Sequence, residues 1–148
     1  MNKEMSALQK ARSEYQPKLP DVLKQGMGNI EAKFGEETQS VSDQAEIKAM
    51  FPNMYGSPIV KFSNGNSNLK QEVQNVGVVL SGGQAPGGHN VIAGIFDALK
   101  QYNSNSKLIG FLGGPSGLTD EKYVELTQEL VDEYRNTGGF DIIGSGRT

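Results

Sequence analysis

The sequence predicts an α/β fold: a three-layer βαβαβ half of a doubly wound, Rossmann-like parallel sheet, preceded by a mainly helical N-terminal arm. Three apolar runs, over residues 76–80, 107–112 and 140–143, are typical of buried parallel strands. A glycine-rich turn follows each run, and apolar residues at helical spacing lie between the runs. We therefore assign residues 1–70 to the arm and residues 71–148 to a partial, truncated α/β domain.

The composition is that of an ordinary globular domain, with 148 residues, 36% hydrophobic and 21% charged. A net charge of −3 argues against nucleic acid or an anionic membrane as the main partner. The chain has no cysteine and one histidine, which excludes disulfides, thiolate metal sites and multi-histidine metal sites. The sequence has neither a signal-peptide core nor an apolar run that would span a bilayer, so we expect a cytoplasmic protein.

The arm is predicted to consist of short elements. Ser6 and Gln9 match a capping box, which predicts a helix over residues 6–15. Residues 21–34 combine helical spacing with glycines and stay ambiguous, and residues 35–37 are expected to form an exposed turn. The remaining elements are a second helix, an edge strand and a polar linker, at residues 43–50, 58–62 and 63–69.

The body is predicted to alternate strands and helices. Past Gly88, apolar residues recur at helical spacing, which predicts the first body helix. Thr119 or Asp120 is expected to cap a second helix. The apolar face of that helix is expected to carry Tyr123, Leu126, Leu130 and Tyr134.

The turn over residues 81–88 contains four glycines, which permit close approach of an anion to the backbone N–H groups. The N-terminus of the following helix adds to this attraction. The turn differs from a Walker A loop, since Gly88 and His89 stand where lysine and a hydroxyl residue belong, and from the dinucleotide fingerprint. The alternative is a turn whose glycines only permit tight packing.

Two further turns, at residues 113–117 and 144–148, follow the second and third predicted strands. Right-handed crossovers place all three turns at one edge of a parallel sheet, where ligands bind in such folds. This convergence favours a phosphate site over simple packing.

Strings in both parts of the chain resemble the long-chain pyrophosphate-dependent phosphofructokinases, over nearly the whole sequence. In the body these are LSGGQAPGGHN, GFLGGP with GL, YRNTGGF and GSGR, at residues 80–90, 110–115 with 117–118, 134–140 and 144–147. In the arm they lie at residues 15–19, 39–40 and 51–56. The Gly82-Gly83-Gln84 form is that of the catalytic type of chain in this family.

The resemblance implies reversible phosphoryl transfer from pyrophosphate to the 1-hydroxyl of fructose 6-phosphate, with Mg²⁺ as cofactor. It implies that Gly82 carries N–H groups that meet the donor phosphate, that Gly83 flanks it, and that Arg147 pairs with its oxygens. A planar guanidinium suits this task because it binds two oxygens at once. The turn over residues 113–117 lies where related ATP-using enzymes hold the nucleoside, so its shape bears on the choice of donor.

The family's Gly-Gly-Asp-Asp metal motif, its Thr-Ile-Asp general-base motif and its sugar-phosphate ligands are not present in residues 1–148. We therefore expect an N-terminal fragment that holds part of the donor site, contains no catalytic residue and no metal ligand, and is inactive alone. The uncovered apolar surface of the body is expected to drive self-association or swapping of the 1–70 arm. The parent enzyme is expected to be a homo-oligomer.

Other candidate residues have structural interpretations. We expect His89 to be a packed or capping histidine, because the N-terminus of a helix disfavours its charged form. Arg135 is interpreted as a partner of a helix C-terminus, and Asp141 as a residue of a solvated strand face, with a ligand role as the alternative. Asp97 lies near the predicted core.

Three other functions remain open at this stage. The first is a stand-alone phosphate- or nucleotide-binding module without catalysis, the second is part of an ATP-dependent 6-phosphofructokinase, and the third is a flavodoxin-like interaction domain. Ser81 stands where a receiver domain needs an acidic residue, which counts against that version of the last alternative.

Overall fold

The computed structural model describes residues 5–66, 71–83 and 86–147, and for residue 27 it describes the backbone alone. The chain divides into two compact units. One comprises Met1–Lys18 together with Lys70–Thr148, and the other comprises Leu19–Leu69. A boundary therefore lies at residue 70, and the first 18 residues belong to the same unit as the α/β body.

The first unit contains a three-stranded sheet. Strand β3, Asn75–Val78, pairs in parallel with β4, Lys107–Phe111, and β4 pairs antiparallel with β5, Tyr123–Glu125. Helix α3, Gly88–Tyr102, connects the two parallel strands, as a parallel pair requires. The α/β class is thus confirmed, and the mixed sheet is consistent with a Rossmann-like fold.

Apolar side chains of α3 form the centre of the core. The spacing predicted for this helix is confirmed, since Ile92, Phe96 and Leu99 are at most 8% exposed. Each such side chain contributes about 1.5–3 kcal/mol when it leaves water. The remaining buried apolar residues of this cluster come from the strands, from later segments and from α3 itself, namely Val78, Ala93, Leu108, Leu126, Val131 and Ile143.

Helix α1, Ala7–Glu14, also belongs to the first unit, and its predicted capping box is confirmed. The Gln9 N–H donates to Ser6 Oγ at 3.2 Å, and the Ser6 N–H donates to Gln9 Oε1 at 2.9 Å. The side-chain amide of Asn136 donates to the carbonyls of Arg12 and Tyr15, which fixes the end of α1 to the body of its unit.

The second unit is built on a β-hairpin. Strand β1, Ile30–Glu37, pairs antiparallel with β2, Pro58–Asn64, and helix α2, Gln44–Met50, lies between them in the chain. Single 3-10 turns at Asp21–Leu23 and Met27–Asn29 precede β1. The second helix and the edge strand predicted for the arm are therefore confirmed. Of the predicted linker, residues 63 and 64 belong to β2 and residues 67–69 lie outside the described residues.

Because β1 occupies this unit, the arm is not mainly helical there. The exposed turn predicted at residues 35–37 is wrong, since these residues continue β1. Pairing with β2 explains the difference: Phe34 lies opposite Val60, and an irregularity between Phe34 and Glu37 absorbs the local misfit of the strand.

The single helix predicted from residue 119 to residue 134 is also wrong. Two short helices, α4 at Pro115–Thr119 and α5 at Gln128–Tyr134, flank β5 instead. Glu121 has a positive φ of 55°, which breaks any helix at that point. Thr127, not Thr119 or Asp120, caps the later helix, and its hydroxyl accepts the Leu130 N–H.

The third parallel strand predicted over residues 140–143 does not form. These residues make a turn, and parallel pairing is reduced to one bridge between Ser81 and Gly146. The backbone of this segment is committed elsewhere: the Ile143 carbonyl accepts the Gly113 N–H at 2.8 Å, and the Ile142 N–H donates to His89. The third position in the sheet belongs to β5.

Candidate phosphate-binding site

The three glycine-rich turns meet at one corner of the first unit. The Gly82 N–H donates to the Gly146 carbonyl at 2.8 Å, and the Gly146 N–H donates to the Leu80 carbonyl at 3.3 Å. Gly114 packs directly on Gly146, because a Cβ on Gly114 would lie only 2.5 Å from the Gly146 nitrogen. The structure therefore brings together the turns that the sequence predicted to converge, although the third turn does not follow a strand.

Gly82 and Gly83 have different roles in this corner. Gly82 adopts a φ of +113°, which favours glycine, and its N–H is used by the Gly146 carbonyl. Among the described residues, no acceptor is bound to the Gly83 N–H. The Gly82 N–H, which the resemblance assigned to the donor phosphate, is thus already used within the protein, and Gly82 shapes the turn.

Arg147 lies directly beside Gly83. A Cβ placed on Gly83 would be 3.2 Å from Nη2 of Arg147, so the guanidinium covers the open face of this glycine. The Arg147 side chain is exposed and makes no ion pair or hydrogen bond with any described residue. An amide donor and an unpaired guanidinium at one point form a suitable site for a phosphate oxygen.

Several donors at the start of α3 are already used inside the protein. The Gly87 N–H donates to the Gly138 carbonyl at 2.8 Å, and the His89 N–H donates to the Gly139 carbonyl at 2.7 Å. Gly88 is held against the same segment, since a Cβ there would lie 2.9 Å from the Phe140 Cβ. Residues 84 and 85 of the predicted anion loop lie outside the described residues.

His89 is buried, at 3% exposure, and its ring is bonded on both sides. Its Nδ1 lies 2.6 Å from Thr137 Oγ1, and the Thr137 hydroxyl donates to the Tyr134 carbonyl at 2.6 Å. The Thr137 oxygen therefore accepts from His89, which places the proton of the neutral ring on Nδ1. The interpretation of His89 as a packed histidine is confirmed.

Two groups compete for His89 Nε2. The Ile142 N–H donates to it at 3.1 Å, and Oδ1 of Asp141 lies 2.9 Å away. Burial lowers the pKa of His89 below its ordinary value, and the Asp141 carboxylate offsets part of that shift. Asp141 is thus a neighbour of His89 rather than a residue of a solvated strand, and its polar side chain within the apolar run FDII was the one sequence signal.

Arg135 is fully engaged in the protein itself. Its Nη1 and Nη2 donate to the two oxygens of Asp97 at 2.7 and 2.9 Å, and its Nε donates to Asp132 at 2.9 Å. Burial alone would raise the pKa of Asp132, but hydrogen bonds from Gln128 and Arg135 outweigh it, and the pKa lies below its usual value. Arg135 therefore joins α3 to α5. Sequence reasoning missed its pairing with Asp97, which no local pattern indicates.

The residues that the structure describes include no cluster of three or more histidine, cysteine, aspartate or glutamate side chains that could hold a metal ion. A cleft of about 510 Å³ in the first unit lies between α1 and α5, lined by Arg12, Glu133 and Tyr134 among others, and away from the glycine turns.

In the part of the chain that the structure describes, no helix is long and apolar enough to cross a membrane.

Glycine-rich turns at the carboxyl ends of strands are typical of the phosphate-binding class of α/β proteins. No protein-family model matches the sequence. Curated relatives named pyrophosphate--fructose 6-phosphate 1-phosphotransferase match over 97% of the chain, with 57% identity in Porphyromonas gingivalis and 46% in Treponema pallidum. A "subunit beta 2" of this name from Arabidopsis thaliana is 47% identical over 96% of the chain.

The resemblance found in the motifs is thereby confirmed, and this chain is a relative of the pyrophosphate--fructose 6-phosphate 1-phosphotransferases. The chain spans about a quarter of the length of these relatives, with 26%, 27% and 25% of their sequences covered.

Proposed function

We propose that this chain supplies part of the phosphoryl-donor site of a pyrophosphate-dependent 6-phosphofructokinase. Such an enzyme transfers a phosphoryl group reversibly from pyrophosphate to the 1-hydroxyl of fructose 6-phosphate. The observation that carries the proposal is the contact between the Arg147 guanidinium and Gly83 at the corner where the glycine turns meet. The names of the relatives favour pyrophosphate over ATP as the donor.

In this proposal Arg147 and Gly83 bind and orient the donor. Phosphoryl transfer needs positioning and neutralisation of charge more than covalent chemistry by the protein. The guanidinium pairs with two oxygens of the diphosphate, and the Gly83 N–H donates to a third. Gly82 keeps the turn in its left-handed conformation, with a φ of +113°.

The remaining parts of the reaction are assigned elsewhere in the parent protein. The family's Gly-Gly-Asp-Asp and Thr-Ile-Asp motifs are not present in residues 1–148, so we assign the Mg²⁺ ligands, the general base and the sugar-phosphate ligands to other parts of the parent protein. We infer a cytoplasmic, glycolytic, homo-oligomeric parent enzyme. The 148-residue chain is then inactive alone, and phosphofructokinase turnover by it above a no-enzyme control would contradict this division of roles.

The proposal predicts that Arg147→Gln weakens the binding of inorganic pyrophosphate to the chain. Loss of a charge-assisted hydrogen bond costs about 1.5–3 kcal/mol, which corresponds to roughly 10- to 100-fold in Kd. Arg147→Lys keeps the charge but loses the two-pronged geometry, so an intermediate affinity is expected. Isothermal titration calorimetry at a fixed salt concentration measures the Kd of pyrophosphate for the unsubstituted chain and for both variants.

Lys48→Gln is the matched control, because it removes one exposed positive charge from α2 in the other unit. It is expected to leave the affinity for pyrophosphate unchanged. The assignment of the donor site is wrong if Arg147→Gln binds pyrophosphate as tightly as the unsubstituted 148-residue chain does. It is also wrong if the unsubstituted chain does not bind pyrophosphate.

A further inference from the structure

The buried ring of His89 connects helix α3 to the segment that carries Arg147. One side of the ring bonds Thr137 and the other bonds the backbone of Ile142. Farther along the same segment, Gly146 is bonded to Gly82. The chain between Thr137 and Arg147 is therefore fixed at its start by an imidazole and at its end by the glycine turn.

The His89 ring is enclosed by the segment after α5 and by Tyr134. A Cβ on Gly139 would lie 2.8 Å from Cε1 of His89, so the backbone of the segment touches the ring. The Tyr134 ring meets it edge to face, with 4.8 Å between centroids. A ring so closely enclosed acts on the segment through the hydrogen bonds of its two nitrogens.

We propose that His89 is a positioning residue, whose neutral imidazole holds the segment 137–146 so that Arg147 lies against Gly83. Protonation of the ring then replaces the hydrogen bond that Nε2 accepts from the Ile142 N–H with one that Nε2 donates to Asp141. The part that concerns Arg147 as a phosphate ligand rests on the function proposed above. The hydrogen-bond exchange at Nε2 does not, since it follows from the contacts of His89 alone.

The exchange follows from the opposite demands of the two groups at Nε2. A neutral ring with its proton on Nδ1 has a lone pair on Nε2, which accepts from Ile142 but offers nothing to the Asp141 carboxylate. A charged ring carries a proton on Nε2, which donates to Asp141 and leaves the Ile142 N–H without its acceptor. One protonation state therefore cannot satisfy both groups.

The charged and titratable groups around the ring set the direction of the pH effect. Asp141 faces the ring from the turn after α5, Tyr134 faces it from α5, and Arg135 is turned toward Asp97 and Asp132. Burial lowers the pKa of His89, so the ring is neutral near pH 7. The bond to Ile142 is present above the ordinary pKa of about 6.5 and is lost as the pH falls through the lowered value.

The first test is an NMR titration of the 148-residue chain, in which His89 is the sole histidine and its signals are unambiguous. We expect the Nδ1–H tautomer at neutral pH. The backbone amides of Ile142 and Arg147 are expected to shift with the same midpoint as the ring. In Asp141→Asn that midpoint moves to lower pH, because the carboxylate no longer stabilises the charged ring.

A role in packing alone would not couple the Arg147 amide to the charge of Asp141. The proposal would be overturned by any one of three results. These are an Nε2–H tautomer at neutral pH, an Arg147 amide signal that does not shift as His89 titrates, and a His89 midpoint that is unchanged in Asp141→Asn. Asp141 is exposed, so its variant keeps the test valid even where a substitution of the buried histidine fails to fold.

The second test compares two substitutes for the imidazole at pH 7.5. His89→Gln can place an acceptor near the Ile142 N–H, whereas His89→Asn reproduces only the donor on the side of Thr137. We expect pyrophosphate to bind about tenfold more weakly to His89→Asn, with partial rescue in His89→Gln. Gln101→Ala, an exposed position on α3, is the control.

Equal affinities of the two His89 variants and the parent chain would refute the positioning role. If the NMR coupling is found but Arg147→Gln still binds pyrophosphate normally, the exchange at His89 stands and the proposed donor site fails. The two ideas are thus tested separately.

Discussion

Arg135 and Arg147 show how the use of a single residue depends on its partners. Both lie in strings that resemble the same family, but three nitrogens of Arg135 are bonded to Asp97 and Asp132. Arg147 has no such partner among the described residues and lies beside Gly83. Only a guanidinium without an internal carboxylate remains available to an anionic ligand, which is why we assign the phosphate to Arg147.

The pairing of Arg135 predicts that Arg135→Gln destabilises the first unit. The Arg135 side chain is 20% exposed and Asp97 is 54% exposed, so solvent screens part of the attraction. We expect a loss of about 1–2 kcal/mol in the free energy of unfolding, measured by urea denaturation. Arg135→Lys should lose nearly as much, because an ammonium group cannot bond both oxygens of Asp97 and Asp132 together.

Lys107→Gln is the matched control for this prediction. Lys107 and Glu125 form an ion pair whose side chains are 53% and 48% exposed, and such pairs contribute about 0–1 kcal/mol. A loss in Arg135→Gln no larger than in Lys107→Gln would show that the link between α3 and α5 does not stabilise the fold.

At the scale of the elements, two glycines with opposite surroundings test the packing of the first unit. Gly110 lies in β4, and a Cβ there would be 2.5 Å from Cγ2 of Ile143 and 3.2 Å from Cδ1 of Leu126. Gly110→Ala is therefore expected to lower the free energy of unfolding by about 1–3 kcal/mol. Gly94 lies in α3 with nothing within 4 Å of its Cβ position, so Gly94→Ala should stabilise by about 0.5–1 kcal/mol.

Thermal and urea denaturation of Gly110→Ala and Gly94→Ala measures the change in the free energy of unfolding that each substitution causes. Equal and small effects of the two substitutions would mean that Ile143 does not pack on β4 as the structure has it. An effect of the predicted sign at Gly94 but not at Gly110 would place the fault in the turn that contains Ile143 rather than in α3.

The elements that the sequence predicted correctly are those set by local patterns. The capping box at Ser6 and the apolar spacing along α3 follow from neighbouring residues alone. The failures arise where distant partners decide. The segment 140–143 has the apolar content of a strand, but His89 and Gly113 take its backbone groups. No pattern within FDII reveals that competition.

The same division applies to the candidate site. Its glycines and Arg147 were found from spacing and from the resemblance. The rules of sheet topology predicted that the three turns meet, but the third turn reaches the corner without the strand that those rules assume. The hydrogen bond between Gly82 and Gly146 and the two hydrogen bonds of the His89 ring, to Thr137 and Ile142, join residues at least 48 positions apart in the sequence. Local reasoning therefore identified the residues of the corner but not which donors stay free.

At the scale of the whole molecule, the second unit has a small apolar interior. Its sheet has only two strands, and Phe34 and Phe62 on them are 75% and 64% exposed. Phe34 lies opposite Val60 and Phe62 lies opposite Ala32, so the four side chains share one face of the hairpin. Two-stranded sheets with an exposed apolar face are marginal in water unless that face is covered.

This face predicts that the 148-residue chain self-associates through the second unit. We expect sedimentation velocity to give a weight-average coefficient that rises with protein concentration, since burial of two phenylalanines on each partner yields about 1.5–3 kcal/mol per side chain. The double variant Phe34→Ser/Phe62→Ser should shift the dissociation midpoint to higher concentration.

Leu8→Ser is the control, because Leu8 is 66% exposed but lies on α1 of the other unit. A parent chain that stays monomeric at high concentration, or a Leu8→Ser variant that dissociates as readily as the double variant, would show that this face does not drive association.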